Sequence, residues 1–329
     1  MTDEELLRIA RGYRTFVDEA AGSSPLYGRL AAEVADDRDV LRFLAELPVG
    51  KRQPNLLFAA VQYLHGAPED GRELHRLVVE DGERLRMTMT ARATQTNEPA
   101  RCAALLPVLA RLDGPLALIE VGASAGLCLY SDRYSYEYDG RPVGVRSPVH
   151  LRCTTTGDLP LPARLPDVAA RIGIDLNPLD AADPDDRAWL RALVWPGPNA
   201  ADRLQRLDAA AEIAGREPPR MLAGDLLDRL PDALALVPPG STPVVFHTAV
   251  LPYVPSDRRA AFLQQVASLP VRWIAQEARG VVPGTGETSS VGGWGTDFVL
   301  SLDGRPLALT APHGGRIDWL PEGREIIAG

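Results

Sequence analysis

The stretch "LALIEVGASAGLCLYSDRY", residues 116–134, limits the possible folds more than any other part of the chain. Its first six residues are dominated by apolar side chains, which predicts a buried strand. The strand ends next to Glu120 and leads into the small residues G-A-S-A-G. A buried strand, a tight glycine turn and then a helix form the repeating unit of α/β sheets, which bind ligands at the carboxyl ends of their strands. The sequence therefore predicts an α/β fold with a ligand-binding loop formed by Gly122, Ala123, Ser124 and Gly126.

The same letters also match G-x-S-x-G, the turn that presents the nucleophilic serine of α/β-hydrolases. Ser124 would then be the nucleophile, and an acid and a histidine would follow in chain order, as Asp225 with His247 or Asp303 with His313. A hydrolase elbow follows several earlier strands, whereas the chain before residue 113 has a helical pattern. We therefore favour the ligand-binding interpretation and keep the serine hydrolase as an alternative.

From residue 3 to about 112 the apolar residues recur at spacings of three and four, as in Leu6, Ile9, Tyr13 and Phe16. This spacing predicts amphipathic helices. Breaks rich in glycine and proline divide the segment into five or six of them. We expect residues 1–112 to form an N-terminal helical cap domain that provides one wall of a substrate pocket.

After residue 113 the pattern changes to short apolar runs separated by helical stretches. The runs lie in "LALIEV", "RIGIDLNPLD", "PRMLAGD", "TPVVFHTAVL" and "VRWIAQEA". Residues 298–312 alternate around Asp303-Gly304, which is typical of an antiparallel hairpin. Residues 134–170 carry their own alternation and are expected to be an inserted hairpin. The sequence thus predicts a second domain, 113–329, with a mostly parallel sheet and an antiparallel C-terminal hairpin.

Acidic residues stand where the second and third predicted strands end. Asp175 is placed to accept hydrogen bonds from ribose hydroxyls, and Asp225 to contact a base edge. Leu176 and Leu226 follow them and are assigned to the same pocket. Together with the glycine loop, these strand ends predict a site shaped for a nucleoside.

This arrangement resembles class I S-adenosylmethionine-dependent methyltransferases, over roughly residues 113–312. In those proteins a first-strand acid precedes the glycine loop, a second-strand acid holds the ribose, and a third-strand aspartate contacts the adenine. The resemblance implies a Rossmann-like sheet and S-adenosylmethionine as cofactor, with Glu120 as the first-strand acid. The chain departs from the pattern in the long gap from Gly126 to Asp175 and in having Ser124 where glycine is common.

At a finer level the chain is similar to a bacterial family known as domain of unknown function 2332. The similarity rests on the phrases "TQTNEPARCAALLPVLA", "EVGASAGLCLYSDRYSY", "GIDLNPLD", "WLRALVWP" and "VVFHTAVLPYV", which lie within residues 94–254. Beyond a methyltransferase-like fold, that family implies little about function.

Methyl transfer needs alignment, a dry pocket and in some enzymes a general base. His247 is a hypothetical base or substrate anchor, and Tyr253 and Glu277 are further catalytic candidates; an ion pair with Arg279 would equally account for Glu277. The resemblance places Asn97 near the methionine end of the cofactor, and an N-cap role is the simpler account.

Two further features have ordinary explanations. Asp132 and Arg133 are predicted to lie in the helix after the loop and to form a local charge pair. The Gly-rich segment 280–298, which contains Trp294, is expected to be a mobile surface loop or a substrate lid.

Composition excludes several classes of partner. A net charge of −9 and a pI near 5.2 argue against nucleic acid. The three cysteines share no zinc or disulfide spacing, and no H-E-x-x-H motif or histidine cluster predicts a metal. No apolar run approaches the length of a membrane span. We expect a cytoplasmic protein that acts on a small molecule, alone, as a homo-oligomer or with a partner protein.

The leading hypothesis is an S-adenosylmethionine-dependent methyltransferase acting on an unidentified small molecule. One alternative keeps the pocket for another displacement or a cyclisation in a biosynthetic pathway. Another is a non-catalytic partner subunit with the same fold.

Overall fold

The computed structural model describes residues 2–286, 297–321 and 323. Within these residues the chain forms eleven α-helices and eleven strands. The helices are α1 Asp3–Ala20, α2 Pro25–Asp36, α3 Arg38–Ala45, α4 Pro54–His65, α5 Gly71–Glu80, α6 Gly82–Ala91, α7 Cys102–Leu109, α8 Pro184–Ala192, α9 Ala200–Arg216, α10 Leu226–Leu234 and α11 Ser256–Ser268. The strands are β1 Leu116–Val121, β2 Ser135–Tyr138, β3 Arg141–Val143, β4 His150–Thr156, β5 Val168–Asp175, β6 Arg220–Ala223, β7 Thr242–Thr248, β8 Arg272–Ala278, β9 Phe298–Leu302, β10 Arg305–Thr310 and β11 Arg316–Trp319.

The chain divides into two compact units. One unit comprises the described residues up to Thr96 together with Asp183–Gln205, and the other comprises Asn97–Ala182 together with the described residues from Arg206 onward. The predicted domain boundary at residue 112 lies inside the second unit. Helix α7 belongs there because it packs against the sheet, where the Tyr138 hydroxyl donates to the Ala103 carbonyl oxygen at 2.7 Å.

The first unit is helical, in agreement with its apolar spacing. Helix ends carry the side chains that such ends favour: the Ser24 hydroxyl accepts from the Tyr27 amide at 3.2 Å, and Asp70 caps α5 in the same way. The buried faces meet around aromatic rings, of which Phe58 lies 4.7 Å from Tyr27 between ring centroids. This burial, rather than helix propensity alone, holds the short helices together.

The second unit contains a single large mixed sheet with the strand order β3-β2-β4-β11-β10-β9-β8-β7-β1-β5-β6. Five strands, in the order β6-β5-β1-β7-β8, run parallel to one another. These are the five predicted strands, and the predicted β9–β10 hairpin is also confirmed. Because parallel strands end at the same edge, the residues that follow β1, β5, β6, β7 and β8 collect on one side of the sheet.

The predicted helix after the glycine loop is wrong. Residues Leu127–Tyr130 form one turn of 3-10 helix, and the chain then enters β2. Tyr134, Tyr136 and Tyr138 are all buried at a period of two, which favours an extended backbone, and β2 begins five residues after the last residue of the turn, Tyr130. The inserted segment contains the expected hairpin, β2 with β3, and adds β4, which joins the sheet by pairing with β11.

Asp132 pairs mainly with a residue distant in sequence, in contrast to the predicted pair with Arg133. Both of its carboxylate oxygens accept from Arg171 on β5 at 2.8 Å, while Arg133 lies at 3.3 Å. The Arg171 guanidinium also lies 4.7 Å from the ring centroid of Tyr130. The pair is nearly buried, with side-chain exposures of 7% and 13%, so each charge depends on the other.

Removing one partner of this pair should destabilise the protein strongly. We expect Asp132→Asn to lower the free energy of unfolding by about 3 kcal/mol, because it leaves the Arg171 charge buried and uncompensated. The control is Asp232→Asn, which breaks the exposed pair with Arg229 and should cost less than about 1 kcal/mol. Urea unfolding of both variants measures the difference, and equal losses would contradict the structural role of Asp132.

Candidate functional site

The loop after β1 is a tight turn that only small residues can form. Gly122 and Gly126 have φ angles of +69° and +72°, and Ser124 between them has φ +53°. A Cβ atom on Gly122 would lie 2.5 Å from a methyl carbon of Val250, so a larger residue would overlap the chain that follows β7. The glycines therefore permit both the left-handed backbone and the close approach of two strand ends.

Asp175 is joined directly to this loop, as its position at the tip of β5 suggests. One carboxylate oxygen accepts from the Ser124 amide at 2.8 Å, and the other accepts from the Asn177 amide at 2.8 Å. The Leu179 amide donates to the Ser124 carbonyl oxygen at 3.0 Å. The side chain of Leu176 is 77% exposed, which leaves an apolar surface beside this carboxylate.

Glu120 is the most unusual group at this edge of the sheet. It is 2% exposed, and within the described part of the chain its Oε2 atom has no hydrogen-bond partner. Burial raises the pKa of this carboxyl group well above 4.5; the neighbouring Cys128 thiol adds to the rise, and the positive charge of Arg101 opposes it. A buried polar atom without a partner costs free energy and calls for an explanation such as a ligand.

Asn97 supports the loop from behind. Its carboxamide oxygen accepts from the Leu127 amide at 2.8 Å and so caps the 3-10 turn. The next residue, Glu98, is 3% exposed and accepts from the Arg206 side chain at 2.7 Å. The capping interpretation of Asn97 therefore fits its contacts, although it caps the turn after β1 instead of a helix before that strand.

Asp225 is the N-cap residue of α10, and other residues of the protein occupy its carboxylate. Its Oδ1 accepts from the Leu227 amide at 2.9 Å, and both oxygens accept from Arg258. The Arg258 hydrogen bond lowers the pKa of Asp225 below its usual value. Leu226 turns into the apolar core under α10. The two residues assigned to the base edge are thus a helix cap and a core residue.

The assignment of His247 as a substrate-facing base needs correction. Its side chain is fully buried, its Nδ1 lies 2.7 Å from Glu277 Oε1, and its Nε2 accepts from Trp273 Nε1 at 3.0 Å. Indole N–H only donates, so Nε2 carries no proton and Nδ1–H donates to Glu277. Both ring nitrogens are used inside the protein, and none is left for a substrate.

Glu277 holds the turn that follows β7. Its carboxylate accepts from the Val250 amide at 2.9 Å and from the Leu251 amide at 3.3 Å, in addition to the His247 ring. The turn needs this support because Ala249 adopts a φ of +57°, which is strained for a residue with a side chain. Tyr253 lies at the end of the same turn and is 62% exposed. Of the three predicted catalytic residues, Tyr253 is the one that reaches the surface.

The acid and histidine pairs of the hydrolase interpretation do not assemble among the described residues. Asp225 contacts Arg258, and Asp303 accepts from the Trp273 amide and from Arg272. Neither acid touches its predicted histidine. The predicted lid falls mostly on residues 287–296, Trp294 among them, which lie outside the described residues.

One group in the helical unit brings three ligand-type atoms within 4.8 Å of one another, and the sequence patterns did not indicate it. It consists of Asp37, Asp39 and His75. Each has an internal partner: Asp37 caps α3 and lies 2.7 Å from His75 Nδ1, and Asp39 pairs with Arg42 at 2.8 Å. A helix cap and two side-chain pairs within the protein therefore account for the group.

Sequence patterns also missed Arg101, which is 6% exposed in the 3-10 turn before α7. The available signal was a charged residue inside the apolar run "EPARCAALLPVLARL". Charged residues are rarely buried without a partner, so a charge within such a run is unusual.

The fold and site define an α/β protein with a large mixed sheet and a polar site at the carboxyl ends of β1 and β5. Residues 10–319 match a family described as "Uncharacterized protein conserved in bacteria (DUF2332)". The chain belongs to this family. No curated protein and no solved structure matches the chain. No described helix combines the length and the apolar character that crossing a bilayer requires.

The buried acid predicts a specific pH dependence of stability. The folded-state pKa of Glu120 lies above 4.5, so its contribution to stability is complete below that pH and declines as the pH rises toward the folded-state pKa. Glu120→Gln removes this titration. Relative to wild type, the variant should gain stability with rising pH, at up to about 1.4 kcal/mol per pH unit.

Urea unfolding at several pH values measures this difference. Glu212→Gln, at an exposed position on α9, is the control and should follow the wild-type profile. A constant difference between Glu120→Gln and wild type across the acidic and neutral range would show that folding does not raise the pKa of Glu120.

Proposed function

We propose that the protein is an S-adenosylmethionine-dependent methyltransferase acting on a small molecule. The observation that carries the proposal is the unpartnered, buried carboxyl oxygen of Glu120 at the end of β1, beside a glycine loop and the Asp175 carboxylate. A ligand with both hydrogen-bonding and apolar parts would explain why the buried acid, the glycine loop and the second carboxylate all lie at the carboxyl ends of neighbouring strands.

The residues present fit this cofactor in part. Glu120, the backbone of the 122–126 loop, Asp175 and Leu176 would hold it: Glu120 has an unused oxygen, Asp175 is partly buried at the strand tip, and Leu176 offers an exposed apolar face. Asp225 and Asn97 fit less well, because Asp225 forms an ion pair with Arg258 and the side-chain oxygen of the buried Asn97 accepts from the Leu127 amide. When bound, S-adenosylmethionine supplies an electrophilic methyl group on a sulfonium.

The chain's own contribution in this proposal is alignment. Transfer of a methyl group depends on an in-line approach of the acceptor, which positioning alone can accelerate greatly. Tyr253 is the residue we assign to the acceptor, since its phenol is exposed at the carboxyl end of β7. His247 and Glu277 act as positioning residues, because Glu277 holds the amides of the turn that carries Tyr253.

Three alternatives remain as proposals of lower rank. A different displacement or a cyclisation would use the same pocket. A non-catalytic partner subunit would retain the fold without turnover. A serine hydrolase would use Ser124, whose positive φ suits an elbow serine but which lacks the following helix.

Calorimetric titration with S-adenosylhomocysteine tests the cofactor assignment. We expect wild type to bind, and Asp175→Asn to weaken binding about tenfold or more by removing a charged acceptor for the ribose hydroxyls. The Asp232→Asn variant keeps wild-type affinity in the same assay, because Asp232 is exposed on α10 and pairs with Arg229. Absence of heat with wild type, confirmed by an unchanged thermal midpoint, would remove this function.

Labelling with a fluorophosphonate tests the hydrolase alternative in the same preparation. The expected result is no labelling of Ser124, because His247 has no nitrogen free to activate it. Ser124→Ala is the control that identifies the site by mass spectrometry. Stoichiometric modification of Ser124 would favour the hydrolase over the methyltransferase.

A further inference from the structure

Arg101 is a buried guanidinium whose hydrogen-bond partners among the described residues are all uncharged. Its Nε donates to the Pro312 carbonyl oxygen at 3.0 Å, and its Nη1 donates to the Thr248 carbonyl at 3.0 Å and to the Thr248 hydroxyl at 3.3 Å. These contacts use one of the two terminal nitrogens. Among the described residues, Nη2 donates no hydrogen bond and no carboxylate forms an ion pair with this side chain.

Other poorly exposed arginines of the chain are paired. Arg171 has Asp132, Arg206 has Glu98, and Arg92 has Asp186. Arginine does not lose its proton in proteins, so a buried guanidinium without an anion carries a desolvation cost that pairing would offset. Arg101 is therefore in an environment that suits an anion from outside the chain.

Neither of the buried carboxyl groups of Glu98 and Glu120 supplies that anion: Glu98 pairs with Arg206, and Glu120 forms no ion pair with a described residue. Glu120 attracts Arg101 electrostatically, but they lie too far apart for an ion pair, and burial raises the pKa of Glu120 so that its neutral form is favoured. A neutral carboxyl group has an O–H that can donate a hydrogen bond to a ligand. The Oε2 atom of Glu120 has no hydrogen-bond partner among the described residues. The two side chains together offer one positive charge and several donors.

The sheet places these groups on one face. Glu120 on β1 pairs with Phe246 on β7, and Thr248 lies two residues further along the same strand, so its side chain points to the same side. Gln276 pairs with Thr248 from β8 and is also fully buried, with an Oε1 atom that lacks a partner. Arg101 donates to Thr248 at the end of β7, the strand that lies between β1 and β8 in the sheet.

We propose that Arg101 binds the carboxylate group of a small-molecule ligand at the carboxyl ends of β1 and β7. The two N–H groups of Nη2 are the donors for its oxygens, and the Glu120 carboxyl group, whose Oε2 has no partner among the described residues, lies on the same face of the sheet. A monoanion balances the single positive charge, whereas a phosphate dianion would leave a buried negative charge. This proposal rests on the proposed function, because it concerns the same carboxyl ends of the strands and names part of the ligand. Binding of an anion at Arg101 does not, however, require methyl transfer.

The carboxylate has two sources. It is either the carboxylate of the cofactor's methionine part or that of a separate carboxylic acid substrate. The first source is tested with S-adenosylhomocysteine and its decarboxylated analogue, which keeps the amine and the nucleoside. The second is tested with sodium acetate against sodium chloride at equal ionic strength, read as the midpoint of thermal unfolding.

For the cofactor's carboxylate, wild type should bind S-adenosylhomocysteine about tenfold or more tightly than the decarboxylated analogue, and Arg101→Gln should abolish that preference. If the carboxylate belongs to a separate acid substrate, S-adenosylhomocysteine and its decarboxylated analogue should bind wild type equally well. Acetate should then raise the midpoint of thermal unfolding of wild type but not that of Arg101→Gln. Arg272→Gln, at an exposed arginine paired with Asp303, should behave as wild type in every arm.

A purely structural Arg101 would change the midpoint by the same amount in acetate and in chloride and would leave any preference for S-adenosylhomocysteine over its decarboxylated analogue unchanged, and these two results together would overturn the proposal. So would a wild-type protein that shows neither a preference for the carboxylate-bearing compound nor an effect of acetate.

If wild type fails to bind S-adenosylhomocysteine, the proposed function is lost and the acetate experiment alone decides the role of Arg101. If Arg101→Gln does not fold, Arg101→Lys keeps the charge and should retain the carboxylate effect in weaker form, and its complete loss in a folded Lys variant would also overturn the proposal.

Discussion

The hydrogen bond from the Ser124 amide to the Asp175 carboxylate joins the ends of β1 and β5, and the candidate site depends on it. The bond is possible because the loop turns back tightly, with positive φ at Gly122, Ser124 and Gly126. The tight loop in turn lets Val250, after β7, pack against Gly122. Three strand ends are thus brought together at one edge, where polar groups from distant parts of the sequence can share a ligand.

Two groups of buried polar side chains lie near this edge, and they differ in how well they are satisfied. His247 and Glu277 are saturated by Trp273 and by backbone amides, so they stabilise the turn after β7. Glu120 retains an unused oxygen, and Arg101 lacks a counter-ion in the described structure. Buried polar networks in which every group has a hydrogen-bond partner make a fold rigid. A buried polar group without a partner costs free energy, and such a group calls for an explanation such as a ligand that pairs with it. This contrast separates the residues that stabilise the turn from those that we propose to bind a ligand more clearly than residue type does.

Much of the sheet could be predicted from the sequence, because burial on both faces requires continuous apolar runs such as "LALIEV" and "VRWIAQEA". The hairpin at Asp303-Gly304 was predictable because its turn chemistry is local. The helix after the glycine loop was predicted wrongly, because Tyr136 and Tyr138 belong to β2, which pairs with β4, and only a single 3-10 turn precedes that strand. Local patterns thus failed where a long-range strand pairing decided the conformation.

The sequence by itself determined the helical first segment, the order of the five parallel strands along the chain and the glycine positions of the loop, since these follow from periodicity and backbone sterics. Only the tertiary structure decided which polar side chains meet. Arg258 reaches Asp225 across 33 residues, Glu277 reaches His247 across 30, and Arg101 reaches Thr248 across 147. Such pairings depend on distances in space that no local pattern encodes, and they determine which polar groups remain for a ligand.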